Sequence, residues 1–165
     1  MSRSIATIFG MAVLSSTVLG ATSASAETEP AKPSGMHCRV VLDRVQPGEE
    51  ASRVTSRTCS TDRAELGINA KTLLMTWYEH SNYNGWSTYV EGDWGPCDRV
   101  GYKILDTGNT WRNMISSFKV WNSCDNVHAY QETNLKGTNM WYHGNRSYVG
   151  DTMNDKIRSI WIQSS

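Results

Sequence analysis

The sequence predicts an all-β protein: a sandwich of short strands with a small disulfide-linked extension at its N-terminal side. Three observations carry this expectation. From Leu73 onward, short β-prone runs follow one another, divided by Gly, Asn and Pro turn signals. No long helical period is present. One pair of sequence elements also occurs twice, in the same order.

Length and composition bound the rest. A chain of 165 residues has room for one domain plus a small extension. Sixteen Lys and Arg balance sixteen Asp and Glu, and only 19% of residues are charged. That excludes a nucleic-acid binder working through a basic surface, because neutralising phosphates takes an excess of cations. It also excludes a disordered chain, which needs high net charge and few aromatics. Seven Trp and seven Tyr stand against two Phe, so the aromatic content carries polar handles.

The first 26 residues read as an export signal. Arg3 supplies the positive start, Ile5 to Leu19 the apolar stretch, and Ala24-Ser25-Ala26 the cleavage signal before Glu27. No other apolar run approaches the length of a membrane span, so no membrane partner is expected. Export makes Cys38, Cys59, Cys97 and Cys124 an expected pair of disulfides. Of the three possible connectivities, Cys38–Cys59 with Cys97–Cys124 closes the most local loops. Each bond would contribute roughly 3–4 kcal/mol on the chain-entropy estimate.

The elements follow in order. Residues 27–72 read as a leader and a small extension. Glu27 to Met36 is polar and Pro-containing, and Cys38 to Leu42 is a short apolar strand. Gln46-Pro47-Gly48 is a turn, whereas Glu49 to Thr58 fits a helix or a strand equally well. Expected strands then cover Leu73–Tyr78, Trp86–Val90, Gly101–Leu105, Ser117–Val120, Val127–Tyr130, Met140–Tyr142 and Arg158–Ile162.

The repeat joins these strands. YEHSNYNG (Tyr78 to Gly85) and YQETNLKG (Tyr130 to Gly137) share a Tyr, an Asn and a Gly at equal spacing. Downstream, RNMISSFKV (Arg112 to Val120) aligns with NDKIRSIWI (Asn154 to Ile162). The aligned apolar pairs should face the core, and Lys119 and Trp161 should then face outward by alternation. The first copy is about ten residues longer between its two elements, and Gly92 to Gly101, which contains Cys97, accommodates them.

These two elements resemble the signature of the βγ-crystallin family: an aromatic-x4-aromatic-x-Gly hairpin followed by [N/D]-[N/D]-x-x-[S/T]-S. The resemblance spans residues 73–163, as motif 1 over 73–124 and motif 2 over 125–163. It implies a sandwich of two Greek keys. Secreted members of the family include metalloproteinase inhibitors and killer-toxin-like proteins. The family motif also implies calcium sites in which the second position of one motif meets the fifth position of the other. One such site would use Asp155 and Ser116, with a hairpin carbonyl at Glu132. The other would use Asn113 and Arg158, and a guanidinium there replaces an oxygen ligand. One weakly bound calcium ion at most is expected, because Ca²⁺ takes 6–8 oxygens.

No nucleophile, zinc or phosphate-loop motif is present, so no enzyme is expected. Two functions remain. Trp94, Pro96, Cys97, Asp98 and Arg99 would form a stapled inhibitory loop toward an extracellular protease. Alternatively, exposed aromatics such as Trp161 or Trp86 would serve a structural or cell-wall-glycan-binding protein. A monomer is expected in either case.

Overall fold

A computed structural model describes residues 35–165; the expected signal segment 1–26 and residues 27–34 of the leader lie outside the described residues. The described chain is all-β. Its strands are β1 (His37–Leu42), β2 (Val54–Ser60), β3 (Thr72–His80), β4 (Asn84–Gly92), β5 (Tyr102–Ile104), β6 (Ser117–Val120), β7 (Asn126–Tyr130), β8 (Asn139–His143) and β9 (Ser159–Gln163). Two short 3₁₀ turns, Arg63–Leu66 and Ser81–Tyr83, complete the elements.

The strands form two sheets, ordered β2-β1-β4-β3-β6 and β5-β9-β7-β8. Each repeat sends its third strand across to the other sheet. In the first repeat β5 leaves to pair with β9. In the second, the segment at Arg146 leaves to bridge Phe118 of β6, with backbone bonds of 2.9 Å in both directions. The result is a pair of Greek keys joined through their crossing strands. Gly101 stands where β5 enters the second sheet. Its φ is +65°, and a Cβ there would lie 1.9 Å from the Ile162 carbonyl, so only Gly fits.

Strand residues and residues of the connections together fill the space between the sheets. Leu74, Trp77, Val90, Trp111, Ile115, Phe118, Val127, Ile157, Ile160 and Ile162 are all buried there. Trp77 meets Trp111 edge-on at 6.1 Å, and Phe118 meets Tyr142 at 5.4 Å. The Tyr142 hydroxyl donates to the Val149 carbonyl at 2.6 Å, and burial pushes its pKa to about 12.

The repeat reappears as backbone conformation. Left-handed φ occurs at Asn82 and Tyr83 in the first hairpin and at Asn134 and Leu135 in the second. It recurs at Asn113 and Asp155. Asn and Asp tolerate this region because their short polar side chains bond locally. One serine per repeat locks the hairpin down. The Ser117 hydroxyl donates to the His80 carbonyl at 2.6 Å and accepts from the Tyr83 N–H at 3.1 Å. Ser159 does the same with the Glu132 carbonyl and the Leu135 N–H, at 2.5 and 3.0 Å.

The N-terminal strands extend the first sheet. Strand β1 runs parallel to β4, and β2 covers its other edge antiparallel. Cys38 and Cys59 face each other across that pair and are bonded. The segment Glu49 to Thr58, open between helix and strand in sequence, contributes the start of β2.

A buried ion pair ties these strands to the sandwich. Glu91 on β4 has no solvent exposure. It accepts from Arg39 on β1, at 2.9 Å from Nε and 2.7 Å from Nη2. The Asn69 N–H and the Lys71 N–H, the latter at 3.2 Å, also donate to it. Glu91→Ala leaves Arg39 without its partner and should destabilise the protein by about 3–5 kcal/mol. Urea denaturation measures this; a loss below about 1 kcal/mol would contradict the role given to the pair.

Candidate functional site

The connection between β4 and β5 is the longest excursion from the sandwich that the repeat does not share. It presents Trp94, Pro96, Asp98, Arg99 and Val100 to solvent, with Trp94 63% exposed. Cys97, between them, is buried and bonded to Cys124.

The loop is held along its whole length. At its start, the Asp93 N–H donates to the Leu42 carbonyl at 2.9 Å, and Lys71 pairs with the Asp93 carboxylate at 2.9 Å. In the middle, the Tyr102 hydroxyl donates to the Gly95 carbonyl at 2.9 Å, and the Cys97 N–H to the Asn122 carbonyl at 3.0 Å. Toward its end, the Asp98 carboxylate accepts from the Val100 and Gly101 N–H groups at 3.0 and 2.8 Å and pairs with Arg44. The Val100 carbonyl accepts from Trp161 Nε1 at 2.9 Å.

Trp94 is exposed yet oriented. Its indole N–H donates to the Asp43 carboxylate, which also takes an Arg53 guanidinium N–H at 2.9 Å. Those two bonds, the Arg53 bond first, hold the Asp43 carboxyl below its ordinary range. Beside Trp94 and Val100 lies an open groove of about 490 Å³, lined also by Arg44, Val45, Gln46 and Pro47. Arg99 makes no ion pair among the described residues. Trp94 and Pro96, the residues the sequence singles out in this loop, are exposed, and Asp43 and Arg44, which it does not single out, act through contacts about fifty residues away.

The motif positions form two matched pairs. Ser116 Oγ donates to Asp155 Oδ1 at 3.3 Å, so those two expected ligands do meet. Asn113 and Arg158 also meet, with Arg158 Nε donating to Asn113 Oδ1 at 3.0 Å. The guanidinium thus occupies the partner position of Asn113. Glu132 corrects the expectation: its carbonyl is taken by Ser159 of its own repeat. The hairpin that touches Ser116 is the first one, through the Tyr78 carbonyl at 3.0 Å. Each hairpin folds onto the serines of its own repeat, so Glu132 belongs beside Arg158. Among the described residues, no group of three or more His, Cys, Asp or Glu side chains is placed to hold a metal.

The comparisons bear on this arrangement. A mutant βγ-crystallin domain from Clostridium beijerinckii is 30% identical, with 56% of this chain and 99% of that one aligned and a TM-score of 0.45. That identity, over nearly the whole of the domain, decides the assignment. The chain belongs to the βγ-crystallin family. The unmutated Clostridium domain is 26% identical over 56% of this chain and 99% of its own, TM-score 0.45. A βγ-crystallin domain from Flavobacterium johnsoniae is 25% identical over 56% and 96%, TM-score 0.43. The description of peptidase inhibitor family I36 matches residues 121–165, which include Cys124 but not the loop that Cys124 anchors. A search of curated proteins found no match.

In this βγ-crystallin domain the loop's anchorage should depend on acid pH in one direction. The Gly101 N–H, and after it Arg44, keep the Asp98 carboxyl below its usual pKa. Its contribution is therefore complete above the ordinary carboxylate value of about 3.9 and is lost as pH falls through the lowered one. The amide shifts of Val100 and Gly101 should titrate with a midpoint below about 3.9; a midpoint above it would contradict the contact.

Proposed function

We propose that this protein is a secreted inhibitor of an extracellular protease, acting through the loop from Trp94 to Val100. One observation carries the reading: the loop is exposed in its side chains and fixed in its backbone. A substrate-like segment that is already ordered loses little conformational entropy on binding, so more of its contact energy appears as affinity. The Cys97–Cys124 bond, the Asp98 turn and the Tyr102–Gly95 bond all act in this direction.

The match to an inhibitor family supports the reading at the level of class. Two disulfides and the expected export signal suit an oxidising compartment. Among the described residues, no helix is long and apolar enough to cross a membrane. Within the loop, Trp94 is the anchor by size and exposure, since large aromatics dominate interface energetics. Asp98 holds the turn rather than contacting the protease, because its oxygens are engaged internally.

The purified protein, assayed against thermolysin-like and subtilisin-like proteases, should inhibit one of them at micromolar concentration. Trp94→Ala should weaken inhibition by about tenfold or more, equivalent to about 1.4 kcal/mol. Replacing both Cys97 and Cys124 with Ala should weaken it as well. No inhibition of either protease class at micromolar protein would reject the proposal.

Calcium has a minor part in this reading. Arg158 already sets a fixed positive charge against Asn113, which leaves the Ser116–Asp155 pair as the candidate. Calorimetric titration should show one weak event at most, with a Kd in the range of about 10⁻⁴–10⁻³ M. Arg158→Ser, by restoring an oxygen, should add a second event. Two tight sites in the unaltered protein would contradict this account.

A further inference from the structure

The outer face of the second sheet carries a line of side chains that the core does not account for and that meets the loop only at Trp161. Lys103 on β5 pairs in register with Trp161 on β9. Trp161 pairs with His128 on β7, and His128 with Trp141 on the edge strand β8. One straight row therefore crosses all four strands. At the usual spacing between strands it is about 14 Å long.

The row is ordered by its own contacts. The His128 and Trp141 rings stack with centroids 4.0 Å apart and planes 19° from parallel. The Trp141 and Trp161 rings lie 5.8 Å apart, and the Lys103 ammonium sits 5.1 Å over Trp161. Both nitrogens of His128 are engaged: Nδ1 with the Tyr130 hydroxyl, and Nε2 with Asn139 Oδ1 at 2.8 Å. Trp141, so fixed, is still 50% exposed. The neighbouring register positions are polar: Asn126 faces Gln163 on one side and His143 on the other. The row and these neighbours hold no carboxylate.

Ordered aromatics left in solvent mark an interaction site. The dimensions select the partner. A strip about 14 Å long and two or three residues wide offers on the order of 150 Å², far below the roughly 800 Å² per partner of a stable protein interface. A nucleic acid would need more than the single cation Lys103. An uncharged carbohydrate chain fits: its C–H faces pack on aromatic rings, and its hydroxyls match the amide of Gln163 beside the row. We propose that Trp161, His128 and Trp141 form a binding platform for a neutral polysaccharide, which touches the stapled loop through Trp161.

The test is adsorption of the purified protein to insoluble chitin and to cellulose, which distinguishes the two sources of such a chain. Retention on at least one polymer is expected, released by its soluble oligosaccharide and not by salt. Trp141→Ala should lower the partition constant about tenfold or more, while Trp94→Ala leaves it unchanged. Trp141 is half exposed, so its variant should keep the thermal midpoint of the unaltered protein. As a second measurement without a variant, the soluble oligosaccharide should shift the NMR signals of Trp141 and His128. Absence of retention on both polymers, retention released by salt alone, or retention unaffected by Trp141→Ala would overturn the proposal.

Discussion

Neither Greek key closes on its own. Strand β5 completes the sheet of the second repeat, and the Arg146 segment bridges to the sheet of the first. Separated, each half would expose an unpaired strand edge and one side of the core. This exchange also decides where variation is allowed. The two crossing connections lie outside the sheets, so their length is nearly free, since loop closure costs grow slowly with length. In the second repeat the crossing from β8 to Arg146 takes two residues, Gly144 and Asn145. In the first it is the stapled loop. The candidate inhibitory segment is thus an enlarged version of a connection that the fold requires.

The staple follows from the same geometry. Cys124 lies just before β7, in the link between repeats, and Cys97 lies in the crossing connection. Their bond ties the one long crossing to the place where the second repeat begins. It therefore fixes the loop against both sheets. The Asp98 carbonyl, which accepts from the Ser164 N–H at 2.9 Å just beyond β9, adds a second tie to the same sheet.

What the sequence shows and hides divides by range. The hairpins and the paired motif positions were legible because left-handed backbone restricts the residue: Asn82, Asn134, Asn113, Asp155, Gly85 and Gly137 all stand at positive φ. Ser117 and Ser159 aligned, but their role was hidden, since each bonds a hairpin carbonyl far away in sequence. Strand β1 was legible from its paired valines, and its parallel pairing with β4 was not. Strand β2 was ambiguous because it is an edge, exposed through nearly all its length, and so has no alternation to read. Trp86, a candidate for an exposed aromatic, packs partly against the core. Trp141 carried a readable signal that alternation alone supplies: Tyr142 next to it points inward, so Trp141 must point out.

The loop and the aromatic row meet at one contact, the bond from Trp161 Nε1 to the Val100 carbonyl. A single exposed hydrogen bond of this kind has a net worth of about 1 kcal/mol. Any coupling carried by it is therefore limited to a few-fold change in affinity. The other ties of the loop run to Leu42, Asp43, Arg44, Lys71, Tyr102, Asn122, Cys124 and Ser164, and none of them passes through Trp141 or His128. Occupation of the row would leave the loop's backbone where it is. Under the proposed roles, a glycan on the row and a protease on the loop would be bound at the same time, and Trp161 is the residue where the two surfaces overlap.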